Sequence, residues 1–135
     1  MKSVLFVCVE NSCRSQVAEA FGRMLGQGLI IVYSCGSNPS GVVNPKAIEA
    51  MRDIGYDLTA HASVTLDTLP LTRFDYVTTM GCGDRCPMVQ ANHREDWAIP
   101  DPKHLETVEF NKIRDLIRDK VTDLIARIKM ATDPV

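Results

Sequence analysis

The sequence predicts an α/β fold, a three-layer sandwich in which a mostly parallel sheet lies between helices. Short apolar runs typical of buried strands alternate along the chain with stretches whose apolar residues recur at helical spacing. Such alternation indicates crossover connections, which place parallel strands side by side and helices on both faces. The length of 135 residues and the hydrophobic content of 45% predict a single domain, residues 1–135, with its own core.

The first half of the chain supplies two predicted strands and two predicted helices. Both strands are runs rich in Val and Ile, and both helices carry an apolar stripe that ends at glycine. The second helix also has Pro at a favoured first-turn position. In order, the predicted elements are strand Lys2–Cys8, helix 15–25 ended by Gly26 and Gly28, strand 29–34, and a helix opened by Asn44 and Pro45 and stopped by Gly55.

The second half predicts two more strands and one long helix. Residues 74–80 predict a third strand, and residues 95–99 predict a short fourth strand ended by Pro100 and Pro102. Residues 104–130 carry apolar side chains at helical spacing. In parallel sheets ligands bind at the carboxyl ends of the strands, and the unusual residues of this chain cluster there. A functional site is therefore expected at that edge.

Composition excludes several classes of protein. A net charge of −2 argues against a nucleic-acid-binding module, which usually has a strong basic excess. No apolar run approaches the roughly 18 residues of a membrane span. The N-terminal run has no cleavage-type site, so the expected location is the cytoplasm. Five cysteines do not suit a disulfide framework, and in that compartment they indicate metal binding or thiol chemistry.

The segment from Cys8 to Ser15 has the residues of an oxyanion-binding loop. It joins a strand to a helix, where backbone N–H groups can converge on an anion and Arg14 can bind it through two hydrogen bonds. These positive surroundings favour the thiolate of Cys8, a nucleophile aimed at the bound anion, and Ser15 can donate to that thiolate. The alternative is a core cysteine beside a surface arginine. The predicted binding loop comprises Val9, Glu10, Asn11, Ser12, Cys13 and Arg14.

A second loop, after the third strand, carries Cys82 and Cys86. Gly81 and Gly83 permit the loop to fold back, so the two thiols could form a disulfide and take part in thiol exchange. A zinc site is one alternative, but the histidines are scattered singly. An inert pair of cysteines is another.

Asp101, which precedes Pro102, is the candidate general acid, since a carboxyl group held over the anion could protonate a departing oxygen. An ordinary acidic turn residue is the alternative interpretation, and Asp96 is the nearest competitor. Cys13 and Cys35 are interpreted as mainly structural.

These segments together resemble the low-molecular-weight tyrosine phosphatase superfamily, and most closely its arsenate reductase branch. The similarity runs in order through most of the chain. The segments that carry it are V-C-V-E-N-S-C-R-S-Q-V-A-E-A (7–20), Y-S-C-G (33–36), V-N-P-K-A-I-E-A-M (43–51), T-M-G-C-G-D-R-C-P (79–87) and D-W-A-I-P-D-P (96–102).

The resemblance implies a central four-stranded parallel sheet and a cysteine relay. Cys8 would be the nucleophile, Arg14 the anion clamp, Asn11 the residue that shapes the loop and Asp101 the acid. Cys82 and Cys86 would resolve the adduct and pass a disulfide to a thioredoxin-like reductant. Glutathione with glutaredoxin, or a mycothiol-type system, serves other relatives. Met80 stands where some relatives have a cysteine, which leaves the order of the relay open.

The resemblance also implies ligands and substrates. Some members bind potassium at positions matching Asn11, Glu19 and Ser34, although Val64 replaces a further acidic ligand here. Arsenate is the implied substrate, phosphate and sulfate would compete, and a monomer is the expected state. Lys103, His104 and Ser12 replace apolar or aromatic residues of phosphotyrosine-specific relatives, which disfavours aryl phosphates. A phosphatase with redox-active thiols, or a non-enzymatic oxyanion sensor, remains the alternative.

Overall fold

A computed structural model describes residues 1–81 and 89–132. Four parallel strands form one sheet in the order β2-β1-β3-β4, which confirms the predicted α/β class and its four-stranded parallel sheet. The elements are β1 (Lys2–Cys8), α1 (Arg14–Leu25), β2 (Ile30–Gly36), α2 (Pro45–Arg52), β3 (Arg73–Thr79), β4 (Gln90–Asp96) and α3 (Thr107–Thr132). Among the described residues, no helix is long and apolar enough to cross a membrane.

The two faces of the sheet are covered differently. Alternate residues of β1, Val4 and Phe6, pack in one core cluster with side chains from all three helices. Leu5 and Val7 face the opposite side, where the described cover is the irregular segment 64–71 with its short 3-10 turn. Helices were expected on both faces. In the described part of the chain all three helices pack on one face. The part of the β2–β3 connection that covers the other face is irregular apart from a 3-10 turn.

The fourth strand lies earlier than expected. The sequence predicts it at 95–99, but β4 spans Gln90–Asp96. Most side chains of β4, which lies at one edge of the sheet, are exposed, and its composition carries no apolar signal. The strand was predicted too late in the chain because the apolar residues Trp97 and Ile99, which are buried, lie just beyond its end.

Helix boundaries are close to those expected. Asn44 caps α2 by accepting a hydrogen bond from the Lys46 N–H, with Pro45 in the first turn. The last helix begins at Thr107 rather than at 104. Met24 and Leu25, the last two residues of α1, are apolar but 38% and 46% exposed.

Candidate functional site

The carboxyl end of β1 opens into a cavity of about 180 Å³. Cys8 lies there as the last residue of a central strand, directly before the loop that leads into α1. The cavity also receives side chains from the connection between β4 and α3, so the two loops face each other across it. Its lining residues are Cys8, Val9, Glu10, Ser12, Cys13, Arg14, Asn38, Asp101 and Lys103.

Asn11 fixes the shape of the loop after β1. Its backbone φ is 50°, in the left-handed region that asparagine tolerates better than most residues. Its side-chain oxygen accepts from the Val64 N–H at 2.9 Å, and its amide donates to Ser15 Oγ at 2.7 Å and Ser34 Oγ at 3.0 Å. The side chain is fully buried. These contacts hold the strained residue in place.

The end of β2 packs tightly against the same loop. A Cβ atom at Gly36 would lie 2.6 Å from the Val9 carbonyl oxygen and 2.9 Å from the Asn11 nitrogen. Real Cβ contacts are never this short with backbone, so any larger residue would push the loop out of position. The sheet therefore supports the loop from beneath.

Ser15 is placed to hydrogen-bond the sulfur of Cys8. Its Oγ lies 2.9 Å from Cys8 Sγ. Because the Asn11 amide can only donate, Ser15 Oγ accepts from it, and the hydroxyl proton is left to point towards the sulfur. The Ser15 hydroxyl can therefore donate to the Cys8 sulfur.

Arg14 is held by backbone carbonyl groups that sequence reasoning did not identify. Its Nη1 donates to the Met80 oxygen at 2.6 Å and to the Ile99 oxygen at 3.0 Å. Those two bonds use both protons of Nη1, which leaves Nη2 and Nε for an anion. The guanidinium is thereby fixed between β3 and the loop after β4. No sequence pattern marks the carbonyl groups that do this.

Asp101 belongs to the cavity, and Asp96 does not. The Asp101 carboxylate is 43% exposed, lies 3.9 Å from Arg14 Nη2 and accepts from the Lys103 N–H at 3.1 Å. Asp96 instead accepts from Thr79 Oγ1 at 2.6 Å and from the Gly81 N–H at 3.0 Å. Of the two candidates, only Asp101 lines the cavity.

Two further thiols are buried and lack a matching activating contact. Burial, followed by the charge of Asp101, raises the pKa of Cys13 to about 12. Burial also raises the pKa of Cys35 to about 12. Both thiols are free and stay protonated at neutral pH, which fits a structural role.

A buried polar network behind the loop was also missed by sequence reasoning. Gln16 Nε2 donates to the carbonyl oxygens of Asn11 and Ala62, both at 2.9 Å, and its Oε1 lies 3.0 Å from His61 Nδ1. Tyr56 completes the chain, with its hydroxyl 2.7 Å from His61 Nε2. Burial lowers the pKa of His61. The neutral ring satisfies both hydrogen bonds if Nδ1 donates to Gln16 and Nε2 accepts from Tyr56, and Nδ1 also lies 3.5 Å from Glu19 Oε2.

The residues matching a potassium site do not fit one in this structure. Ser34 Oγ donates to Glu19 Oε1 at 2.6 Å, and Arg23 Nε donates to Glu19 Oε2 at 2.8 Å. The Asn11 oxygen is already used by Val64. Arg23 thus already pairs with the Glu19 carboxylate, whose negative charge a bound cation would need. Within residues 1–81 and 89–132, no cluster of three or more His, Cys, Asp or Glu could hold a metal.

Cys82 and Cys86 lie outside the described residues, so their predicted roles stay predictions. The neighbouring Met80 is fully buried in the core.

Comparison with known proteins places these features in a family context. The model of the family "Low molecular weight phosphotyrosine protein phosphatase" matches residues 3–133. A glutaredoxin arsenate reductase from Synechocystis is 39% identical over 131 residues, which cover 95% of this chain and 99% of the relative.

Solved structures agree with this result. An arsenate reductase in the phosphate binding state superposes with a TM-score of 0.86 at 39% identity, covering 95% of this chain and 99% of that one. A thioredoxin-dependent arsenate reductase from Corynebacterium glutamicum has a TM-score of 0.78 at 29% identity, covering 98% of this chain and 64% of that one.

Proposed function

Because the chain belongs to the low molecular weight phosphotyrosine protein phosphatase family, we propose that it reduces arsenate to arsenite with Cys8 as the nucleophile. One observation carries the proposal: Cys8, Arg14 and Asp101 meet in a single small cavity, and Ser15 supports the sulfur from behind. Both the relative and the solved structures named above are arsenate reductases.

In the first step, arsenate binds to the loop N–H groups and to the free edge of the Arg14 guanidinium. The Cys8 thiolate attacks arsenic, and an As–O bond breaks. Asp101 donates a proton to the departing oxygen, which leaves as water. The product is a covalent Cys8–arsenic adduct in which arsenic is still pentavalent.

The second step is assigned to Cys82, whose thiolate attacks the Cys8 sulfur. A Cys8–Cys82 disulfide forms, and the electron pair of the S–As bond passes to arsenic, which leaves as arsenite. Cys86 then attacks Cys82, which releases the Cys8 thiolate and forms a Cys82–Cys86 disulfide. A dithiol protein such as thioredoxin supplies the two electrons that reduce this bond.

We assign the reductant to the thioredoxin class because one of the structural neighbours is thioredoxin-dependent. The name of the Synechocystis relative makes glutaredoxin with glutathione the competing reductant. A cytoplasmic location belongs to the same proposal, since unpaired catalytic thiols and a thiol reductant both need a reducing compartment. We assign no step to potassium.

Phosphate ester hydrolysis is the second candidate function, because the same cavity suits phosphate and the matching family is named for a phosphatase. The deciding experiment measures arsenate-dependent NADPH oxidation with thioredoxin and its reductase. Parallel assays use glutathione with glutaredoxin, and hydrolysis of an aryl phosphate. We expect turnover with arsenate and thioredoxin. Fast aryl phosphate hydrolysis without arsenate reduction would contradict the proposal.

The relay is tested by trapping its intermediates. Cys86→Ser should stop multiple turnovers and accumulate the Cys8–Cys82 disulfide, because the attacking thiol of the last exchange is gone. Cys82→Ser should form no such disulfide. Peptide mapping by mass spectrometry after arsenate treatment distinguishes the two. A main disulfide that contains Cys13 or Cys35 would refute the relay.

A further inference from the structure

An ion pair connects the two loops that face each other across the cavity. Lys103 Nζ lies 3.3 Å from both carboxylate oxygens of Glu10. Glu10 belongs to the loop after β1, and Lys103 follows Asp101 in the loop before α3. Both residues line the cavity and are about one-third exposed, with side-chain exposures of 38% and 35%. The pair therefore lies where the cavity meets solvent.

The charges of this pair bear directly on an anion in the cavity. Glu10 places a carboxylate, in addition to that of Asp101, in the wall of a cavity where Arg14 is free to bind an anion. Alone, it would repel a dianion. Lys103 cancels that repulsion, and the two equal distances show that it covers both carboxylate oxygens.

The pair also limits the shape of the ligand. A tetrahedral oxyanion fits within the loop, whereas an ester must send its organic group out towards solvent. The Glu10–Lys103 contact joins the two loops across residues 93 positions apart, and both side chains line the cavity and are partly exposed. An emerging group would have to separate the pair and leave both charges unpartnered.

We propose that the Glu10–Lys103 ion pair is a specificity determinant that restricts the cavity to inorganic oxyanions. This inference rests on the proposed function only in taking a tetrahedral oxyanion as the ligand. It requires no reduction of that anion and no part of the thiol relay.

The test measures equilibrium binding in a Cys8→Ser background, where no chemistry follows. Isothermal titration calorimetry gives the affinities of inorganic phosphate and of phenyl phosphate. Lys103→Ala should weaken phosphate binding about tenfold, because Glu10 is left to repel the anion in a partly exposed site. Glu10→Gln should instead tighten it. The opposite signs of the two changes are the expected signature.

The double variant Glu10→Gln/Lys103→Ala tests the shape argument. Its phosphate affinity should return to within about threefold of the parent, because both charges are removed together. Its preference for phosphate over phenyl phosphate should fall about fivefold, because no ion pair has to be broken. Lys103→Arg should keep the parent behaviour.

A matched ion pair elsewhere serves as the control. Glu109 and Lys112 lie 3.1 Å apart on the exposed surface of α3, so Glu109→Gln and Lys112→Ala should change neither affinity. The proposal is overturned if Lys103→Ala and Glu10→Gln shift phosphate affinity in the same direction or no further than the control. It is also overturned if the double variant keeps the parent preference. Failure of arsenate reduction in the wild type would leave these measurements intact.

Discussion

The loop after β1 and the loop after β4 meet at one cavity, but the protein holds them by different means. The first is buried, with Asn11 and Ser12 at 0% and 7% exposure, and hydrogen bonds tie it to β2 and to segment 61–64. The second carries Asp101, which is exposed, and Lys103, which is partly exposed, and few hydrogen bonds hold their side chains.

This difference matches the work proposed for each loop. Donors that stabilise an oxyanion are most effective when they are already oriented, so the first loop gains from rigidity. A proton donor must approach substrate and then allow water and product to leave, which suits a lightly held segment. Arg14 joins the two, because its guanidinium contacts the carbonyl of Ile99 and lies near Asp101.

The largest expected effect comes from removing the nucleophile in the rigid loop. Cys8→Ser should abolish arsenate reduction and aryl phosphate hydrolysis, because a hydroxyl is a far weaker nucleophile at neutral pH. Cys35→Ala is the matched control: this thiol is also buried, with a pKa of about 12, and its loss should spare activity. Steady-state rates of both variants decide the matter. Arsenate reduction by the Cys8→Ser variant would contradict the assignment of Cys8 as the nucleophile.

A smaller effect is expected from the exposed loop. Asp101→Asn should lower kcat by about 10²–10⁴-fold, the usual contribution of a general acid. Phosphate affinity should change much less, because the acid acts on the departing oxygen. Asp96→Asn is the control, since an amide oxygen can still accept from Thr79 and Gly81. The reverse result, a slow Asp96 variant beside a normal Asp101 variant, would transfer the role to Asp96.

The smallest expected effect concerns the network behind the rigid loop. Burial lowers the pKa of His61 from its ordinary value of 6.5, so the unfolded chain binds its proton more readily than the folded one. The contribution of neutral His61 to the free energy of unfolding is therefore fully present above about pH 6.5. It decreases as the pH falls below that value, by at most about 1.4 kcal/mol per pH unit for one proton.

Thermal unfolding of the wild type and of His61→Gln, measured from pH 5 to pH 8, tests this expectation. Glutamine does not titrate, so the variant should show a flatter dependence below pH 6.5. Parallel curves for the two proteins would exclude His61 as the source.

The sequence predicts the three strands with buried side chains better than the exposed fourth strand. The strands β1, β2 and β3 are buried on at least one face, so their sequences contain the apolar residues by which a strand is predicted. The edge strand β4 is polar, and its hydrogen bonds to β3 leave no signature in the side chains. Only its backbone hydrogen bonds to β3 define where this strand lies.

The same distinction applies to the site. Cys8, Arg14, Ser15 and Asp101 could be proposed from residue type, position and resemblance. Gln16, Tyr56 and His61 could not, because an isolated Gln, Tyr or His in a sequence resembles any surface residue until folding brings the three together. The carbonyl contacts of Arg14 were equally hidden, since every residue has a carbonyl group.

The close approach of Gly36 to the first loop constrains how such a site can diverge. No side chain can be added at the end of β2 without displacing the Val9 and Asn11 backbone. Random mutagenesis aimed at new substrates should therefore recover active variants mainly at Lys103 and His104, which are partly or largely exposed and lie beyond the proposed acid. We therefore expect new substrate preferences to come from changes in the loop before α3, while the backbone of the loop after β1 stays the same.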